Sequence, residues 1–238
     1  TDISGRLRIV GAGSASTTID GNNLDRVFHV LDNVDFELFD VTVTGGLGSG
    51  GGNGGGILNS GQLLVSGSTI TRNVTDGDGG GIHSDSAGQL TLTGTTISLN
   101  AARFGGGVFS DDDSVLDLAN GTVISNNTAT FDGGGIYNEG GTVTTDATTQ
   151  IINNIATVGP SGSGGGILNA GGTFTATGTT ITNNTANRAG GGIEDNSVAG
   201  NTLTLTNVTM TGNDTGASPG MKLTEKSHIV SFPFQTSL

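Results

Sequence analysis

The sequence predicts an all-β fold: a parallel β-helix of about eight coils, each with three short strands, over residues 1–215, followed by a C-terminal cap or tail over residues 216–238. Three observations predict it. A Gly-Gly-Gly-[Ile/Val] block recurs six times, ending at Ile57, Ile82, Val108, Ile136, Ile167 and Ile193. An asparagine recurs later in each repeat, at Asn73, Asn100, Asn127, Asn154, Asn184 and Asn213. Large apolar residues are scarce, with 32% hydrophobic and 4% aromatic residues against 45 glycines. A globule of this length needs more apolar side chains to offset its chain entropy, whereas stacked coils share one thin core. Disorder is the other reading of such a composition, but disorder does not require Ile, Leu and Val at fixed places.

The elements of a coil follow in order. After the glycine block and its Ile or Val, a small polar residue stands two positions on: Asn59, Ser84, Ser110, Asn138, Asn169 or Asp195. A second strand alternates with period two, as in Leu63/Val65, Leu90/Leu92, Leu116/Leu118, Val143/Thr145, Phe174/Ala176 and Leu203/Leu205. A third carries Ile70, Ile97, Ile124, Ile151, Ile181 and Met210, each followed three residues later by the recurring Asn. Such strands are too short to stand alone; stacking satisfies their backbones and sets like residues about 4.8 Å apart. Asn at a repeated turn can form an amide ladder, and Gly permits tight corners. The repeat length varies from 25 to 31 residues, with the variation between strands.

An earlier glycine-poor coil shows the same spacing, with Val30, Phe36, Leu38 and Val43 expected to match Ile57, Leu63, Val65 and Ile70. Arg6–Gly21 reads as a further partial coil, giving roughly 40 Å of stacked helix. Beyond Gly216 the register is lost, and Met221–Leu238, with both lysines and the apolar stretch Ile229–Phe234, reads as a cap on an open edge or as a tail.

The pairing of Gly-Gly-Gly-Ile-x-Asn with Thr-Ile-x-x-Asn-x-[Ala/Thr], and the opening IVGAGSASTTIDGNN, resembles the pectate-lyase-like β-helix superfamily. The similarity covers about residues 5–215 and is strongest to bacterial surface and secreted proteins with polymorphic-outer-membrane-protein-type repeats. This resemblance implies a right-handed parallel β-helix. It leaves activity open, because the superfamily includes adhesins, polysaccharide lyases, glycoside hydrolases and esterases.

Charge narrows the partners. With 8 basic against 21 acidic residues the net charge is −13, which disfavours nucleic acid and anionic membrane surfaces. No Cys is present, so thiolate ligands and disulfides are excluded. No stretch is long enough to span a membrane, and a leader peptide is expected to be missing or already removed. The expected location is extracellular or the bacterial cell surface.

Outward positions are mostly Thr, Ser, Asp or Asn, and the exceptions cluster. The position after each Gly-Gly-Gly-[Ile/Val] reads Leu58, His83, Phe109, Tyr137, Leu168 and Glu194 and is expected to face outward. The turn before each glycine block carries Asp76 and Asp78, then Arg103 and Phe104, then Phe131 and Asp132. Phe104, Phe109, Phe131 and Tyr137 thus fall along one edge of two coils, bracketed by His83, Asp111, Asp112, Asp113 and Glu139. Rings stack on pyranose faces and carboxylates accept hydroxyl hydrogen bonds, so carbohydrate is the expected partner. The bland alternative is that Phe104 and Phe131 fold over the turn as satellite core.

Catalytic candidates at the same edge are Asp78, Asp132, Glu139 and Arg103. Asp78 and Asp132 lie two coils apart, about 9.6 Å along regular stacking, within reach of an inverting glycosidase pair. Arg103 stands where the resemblance to polysaccharide lyases implies a basic proton acceptor, without a diagnostic motif around it. No cofactor is expected; Asp76–Asp78 offers oxygen ligands for calcium, although a Gly/Asp turn is more often only a turn. His29, His83 and His228 lack zinc spacing and no nucleophile elbow occurs. Outward Thr pairs such as Thr69/Thr71 suggest a flat binding array, but Val123 and Gln150/Ile152 interrupt it and Thr is favoured on strands anyway. The sequons at Asn73 and Asn213 coincide with the Asn ladder and are expected to point inward.

Overall fold

The structure is a computed structural model, and it describes residues 2–3, 5–157, 162–196 and 202–215. The expected cap or tail over residues 216–238 lies outside these residues. The chain winds into four parallel sheets, three of eight strands and one of seven. The eight strands of the three larger sheets correspond to the expected number of coils, with seven turns of chain between the first and the last. Each strand pairs with its counterpart in the coil before and the coil after, so every connection passes around the helix.

The first sheet contains Ile57–Asn59, Ile82–Ser84, Val108–Ser110, Ile136–Asn138, Ile167–Asn169 and Ile193–Asp195. The second contains the longer strands, among them Gln62–Ser66, Gln89–Thr93 and Val115–Ala119. The third includes Thr69–Thr71, Thr96–Ser98 and Val123–Ser125. Registers match the sequence alignment: Ile82 pairs with Ile57 and Val108, and Ile97 with Ile70 and Ile124. Inward Ile, Leu and Val form a single fully buried column from coil to coil.

Two expectations need correction. The fourth sheet was not foreseen; it follows the Asn ladder as two-residue strands such as Val74–Thr75, Ala101–Ala102, Thr128–Ala129 and Ile155–Ala156. Its inward positions are the small residues Thr75, Ala102, Ala129, Ala156 and Ala186, all buried, which leave no large apolar signal to read. In the glycine-poor coil, Phe28 rather than Val30 pairs with Ile57, and Val30 pairs with Asn59. The turn Leu31–Val34 holds two more residues than Ser60–Gly61, so matching back from Phe36 stops one full side-chain alternation short. Phe36, Leu38 and Val43 pair as expected with Leu63, Val65 and Ile70.

The Asn ladder is continuous. Asn73, Asn100, Asn127, Asn154 and Asn184 each donate from Nδ2 to Oδ1 of the next Asn, at 3.0–3.1 Å, ending on Asn213. The same Oδ1 accepts the preceding ladder residue's backbone N–H, and Nδ2 also reaches a carbonyl one coil back, as in Asn127 to Ile97 O at 3.0 Å. Asn73 and Asn213 are therefore structural members, as expected. The residue before each ladder Asn is left-handed, at Arg72, Leu99, Asn126, Asn153 and Asn183, with φ between 55° and 59°.

The glycine block divides its labour. Gly105 has φ 60°, a conformation costly for other residues. A Cβ on Gly106 would lie 2.5 Å from Thr128 O and 2.6 Å from Gly134 O of the next coil. The block is thus a point of close backbone packing between coils.

Candidate functional site

The residue after each glycine block does point away from the main core, and in-register pairing aligns Leu58, His83, Phe109, Tyr137, Leu168 and Glu194 in one column. Because adjacent strands lie about 4.8 Å apart, planar side chains in that column meet face to face. His83 and Phe109 have ring centroids 4.9 Å apart and planes 8° from parallel; Phe109 and Tyr137 are 5.0 Å and 6°.

Pointing outward does not make this column exposed. His83 is 2% and Phe109 3% accessible, a correction to the expectation of a solvent-facing stripe. The turns before the glycine blocks bring further rings to the Tyr137 end of the column: Phe104 meets Tyr137 edge-on at 5.3 Å and lies against Phe131 at 5.4 Å. Phe104, Phe131 and Tyr137 remain half-buried, so the accessible aromatic surface is theirs. Phe104 and Phe131 thus pack on neighbouring rings, as a satellite core would, and still keep part of their surface in solvent.

The charged residues ring this cluster. Arg103 is exposed, its guanidinium 5.0 Å from the Phe104 centroid and its Nε 3.9 Å from Asp78 Oδ1. Asp78 is partly buried, its Oδ1 lacks a hydrogen-bond partner, and burial holds its carboxyl above the usual carboxylate range despite Arg103. Asp132 is likewise pushed up by burial, while its Oδ1 accepts the Ser163 N–H at 2.7 Å. Glu139, also raised by burial and then by Asp111 and Asp112, is exposed. Tyr137 is driven up to about 12 by burial and by Glu139, Asp132 and Asp78, so these three carboxylates converge electrostatically on one phenol.

Asp111 is half-buried and raised by burial, while Asp112 and Asp113 are exposed at the turn after Ser110. Asp113 adopts φ 59°, which marks it as a turn residue. Burial lowers the His83 imidazole to about 4, so it is neutral near pH 7. Two neighbours escaped the sequence reading. Asp85 occupies the same turn position as Asp111 and Glu139, one residue after the small polar position, and that alignment was the available signal. Asn53 approaches His83 Nε2 at 3.5 Å from a loop without repeat register.

A shallow groove of about 210 Å³ lies on the second sheet, lined by Glu37, Gln62, Leu64 and Thr91 among others. It shares no lining residue with the aromatic edge and has no aromatic platform beyond Phe36, which is buried.

One family profile matches the chain, the Chlamydia polymorphic membrane protein (Chlamydia_PMP) repeat, over residues 121–139. This segment contains the glycine block ending at Ile136, the ladder residue Asn127, and Phe131, Asp132 and Tyr137 of the aromatic edge. No curated protein and no solved structure gives a significant match. Among the described residues no helix is long and apolar enough to cross a membrane, a statement that does not bear on β-barrels. The matched repeat and the four parallel sheets agree: the chain is a parallel β-helix, and its segment 121–139 is similar to the polymorphic-membrane-protein repeat.

Proposed function

We propose that the protein is a bacterial surface β-helix, of the kind displayed as a passenger outside the cell, that contacts carbohydrate through Phe104, Phe131 and Tyr137. The surface assignment rests on the repeat match. The carbohydrate assignment rests on one observation: three half-buried rings, with Phe104 in contact with both Phe131 and Tyr137, sit beside the packed Phe109 ring, with Arg103 and Glu139 nearby. A coil needs no aromatic residue there for stability, since most coils place none. Rings held in fixed orientation offer a platform for the apolar face of a sugar, and the rim carboxylates accept hydroxyl hydrogen bonds. His83 and Phe109 take the role of support beneath the platform.

Retention on a glycan array tests this reading. The wild-type chain should be retained by a subset of glycans, and Phe104→Ala with Phe131→Ala should lose that retention while keeping its β-rich circular dichroism. Equal retention of the two proteins would remove the patch from the reading.

A second reading, glycoside hydrolysis, is favoured by the carboxyls of Asp78 and Asp132, both raised by burial and both acting electrostatically on Tyr137. A general acid of this chemistry has a raised carboxyl pKa. Chromogenic glycosides distinguish the readings: hydrolysis requires turnover that falls at least a hundredfold in Asp132→Asn, whereas a binding protein gives no turnover in either form.

A further inference from the structure

Packing alone does not account for the surroundings of His83. The side chain is 2% exposed, and its Nδ1 is buried without a hydrogen-bond partner. Its Nε2 faces Asn53 Nδ2 at 3.5 Å and Asp111 Oδ2 at 4.0 Å. Asn53 Oδ1 accepts the Asp78 N–H at 3.1 Å, which turns the Asn53 amide nitrogen toward the ring. Nε2 therefore presents a lone pair, and the stack on Phe109 holds the imidazole in that orientation.

Two carboxylates face the same point. Asp85 follows Ser84 in the His83 coil, and Asp111 follows Ser110 in the next. Each has one oxygen anchored by its own turn, Asp85 Oδ1 by the Ser86 N–H at 2.9 Å and Asp111 Oδ1 by the Asp112 N–H at 2.8 Å, and the second Asp85 oxygen accepts the Ser60 hydroxyl at 3.2 Å. The two carboxyl groups approach one another across the coils, with one oxygen of each within 4.8 Å of the other. One ligand atom from each of His83, Asp85 and Asp111 can be chosen so that all three lie within 4.8 Å of one another. Like charges that close are unfavourable unless a proton or a cation is shared between them.

We infer that His83, Asp85 and Asp111 bind a divalent transition-metal ion of the zinc class, which clamps two successive coils together. One imidazole with two carboxylates is a mixed N/O donor set. Imidazole suits zinc, whereas calcium and magnesium take oxygen ligands throughout. Metal–ligand distances of roughly 2.0–2.2 Å place ligand atoms about 3.3 Å apart, so side-chain rotation of about an ångström closes the site. Arg26 opposes a cation here, but Asp85 acts on the imidazole more strongly than Arg26 does. Asp112 adds negative charge beside Asp111. Asn53 links this site to the Asp78 backbone, and none of its three ligands is a ring of the proposed carbohydrate platform.

The test is calorimetric titration of the EDTA-treated, dialysed full chain with Zn²⁺. One site per chain is expected, with affinity at least tenfold weaker in Asp85→Asn, Asp111→Asn and His83→Gln. Asp85→Asn changes a surface turn and keeps the fold readable if the buried His83→Gln does not. Loading with Co²⁺ should give visible absorption bands that Asp85→Asn loses. Diffuse uptake by an acidic surface is common to all variants, so equal binding by wild type and Asp85→Asn overturns the site. So does displacement of Zn²⁺ by an equal concentration of Ca²⁺.

Discussion

The His83 imidazole lies flat on the Phe109 ring, with centroids 4.9 Å apart and planes 8° from parallel, although the two residues are a full coil apart in sequence. The coil rise sets this contact, since parallel in-register strands bring outward neighbours to about this separation. Phe109 then stacks on Tyr137, so one rigid column joins a buried histidine to a partly accessible phenol. Stability, acid response and ligand contact can be tested along that column.

Phe109 is 3% exposed and touches rings on both sides, so its truncation leaves a cavity. Phe109→Ala should cost about 3–4 kcal/mol of unfolding free energy, read from urea denaturation. Phe104→Ala, at the half-exposed outer layer, should cost about 1 kcal/mol. If the two losses are equal, the division into floor and platform is wrong.

Acid should weaken the fold through His83. The unfolded chain takes up a proton at this residue as pH falls through 6.5, but the folded chain does so only near 4. Between those values the unfolded state binds more protons, so stability must fall as pH falls across that window. In EDTA, the urea midpoint of wild type should drop more between pH 7 and pH 5 than that of His83→Phe, which keeps a ring in the column. Parallel slopes would place the imidazole in a more solvated setting.

Asn127 contributes both amide groups to the ladder, bonding Asn154, Ile97 O and the backbone of Asn100. Asn127→Ala leaves several buried groups without partners and should cost about 2–4 kcal/mol. A thermal melt within a degree of wild type would show that the ladder is not cooperative.

Leu99 is 48% exposed and left-handed, with φ 59°, at a position where later coils use Asn126, Asn153 and Asn183. Leu99→Asn should relieve part of that strain and stabilise by about 1 kcal/mol, seen as a raised denaturation midpoint. A lower midpoint would mean that the Leu99 side chain packs usefully on the surface.

The fold was legible because each inward position repeats one kind of residue: Ile97, Ile124 and Ile151 announce a strand by recurrence alone. The fourth sheet was hidden because Ala102, Ala129 and Ala156 carry too little side chain to stand out from the surrounding Thr and Gly. At the site, recurrence located the column of His83, Phe109 and Tyr137 and the turn residues Phe104 and Phe131. It did not reveal that the turns bring Phe104 to the Tyr137 end of the column, because alternation gives side-chain direction and not the path of the next loop. Asp85 was overlooked for a related reason. Its partner Asp111 lies in another coil, and a pairing across coils appears only once the register is known.

Tyr137 is the single tyrosine in a chain without tryptophan, so intrinsic tyrosine fluorescence reports on the proposed platform alone. Titration with oligosaccharides retained in array screening should change that emission saturably. The response should vanish in Phe104→Ala with Phe131→Ala. A panel of oligosaccharides that leaves the emission unchanged, or a double variant that binds as tightly as wild type, would contradict carbohydrate contact at this edge.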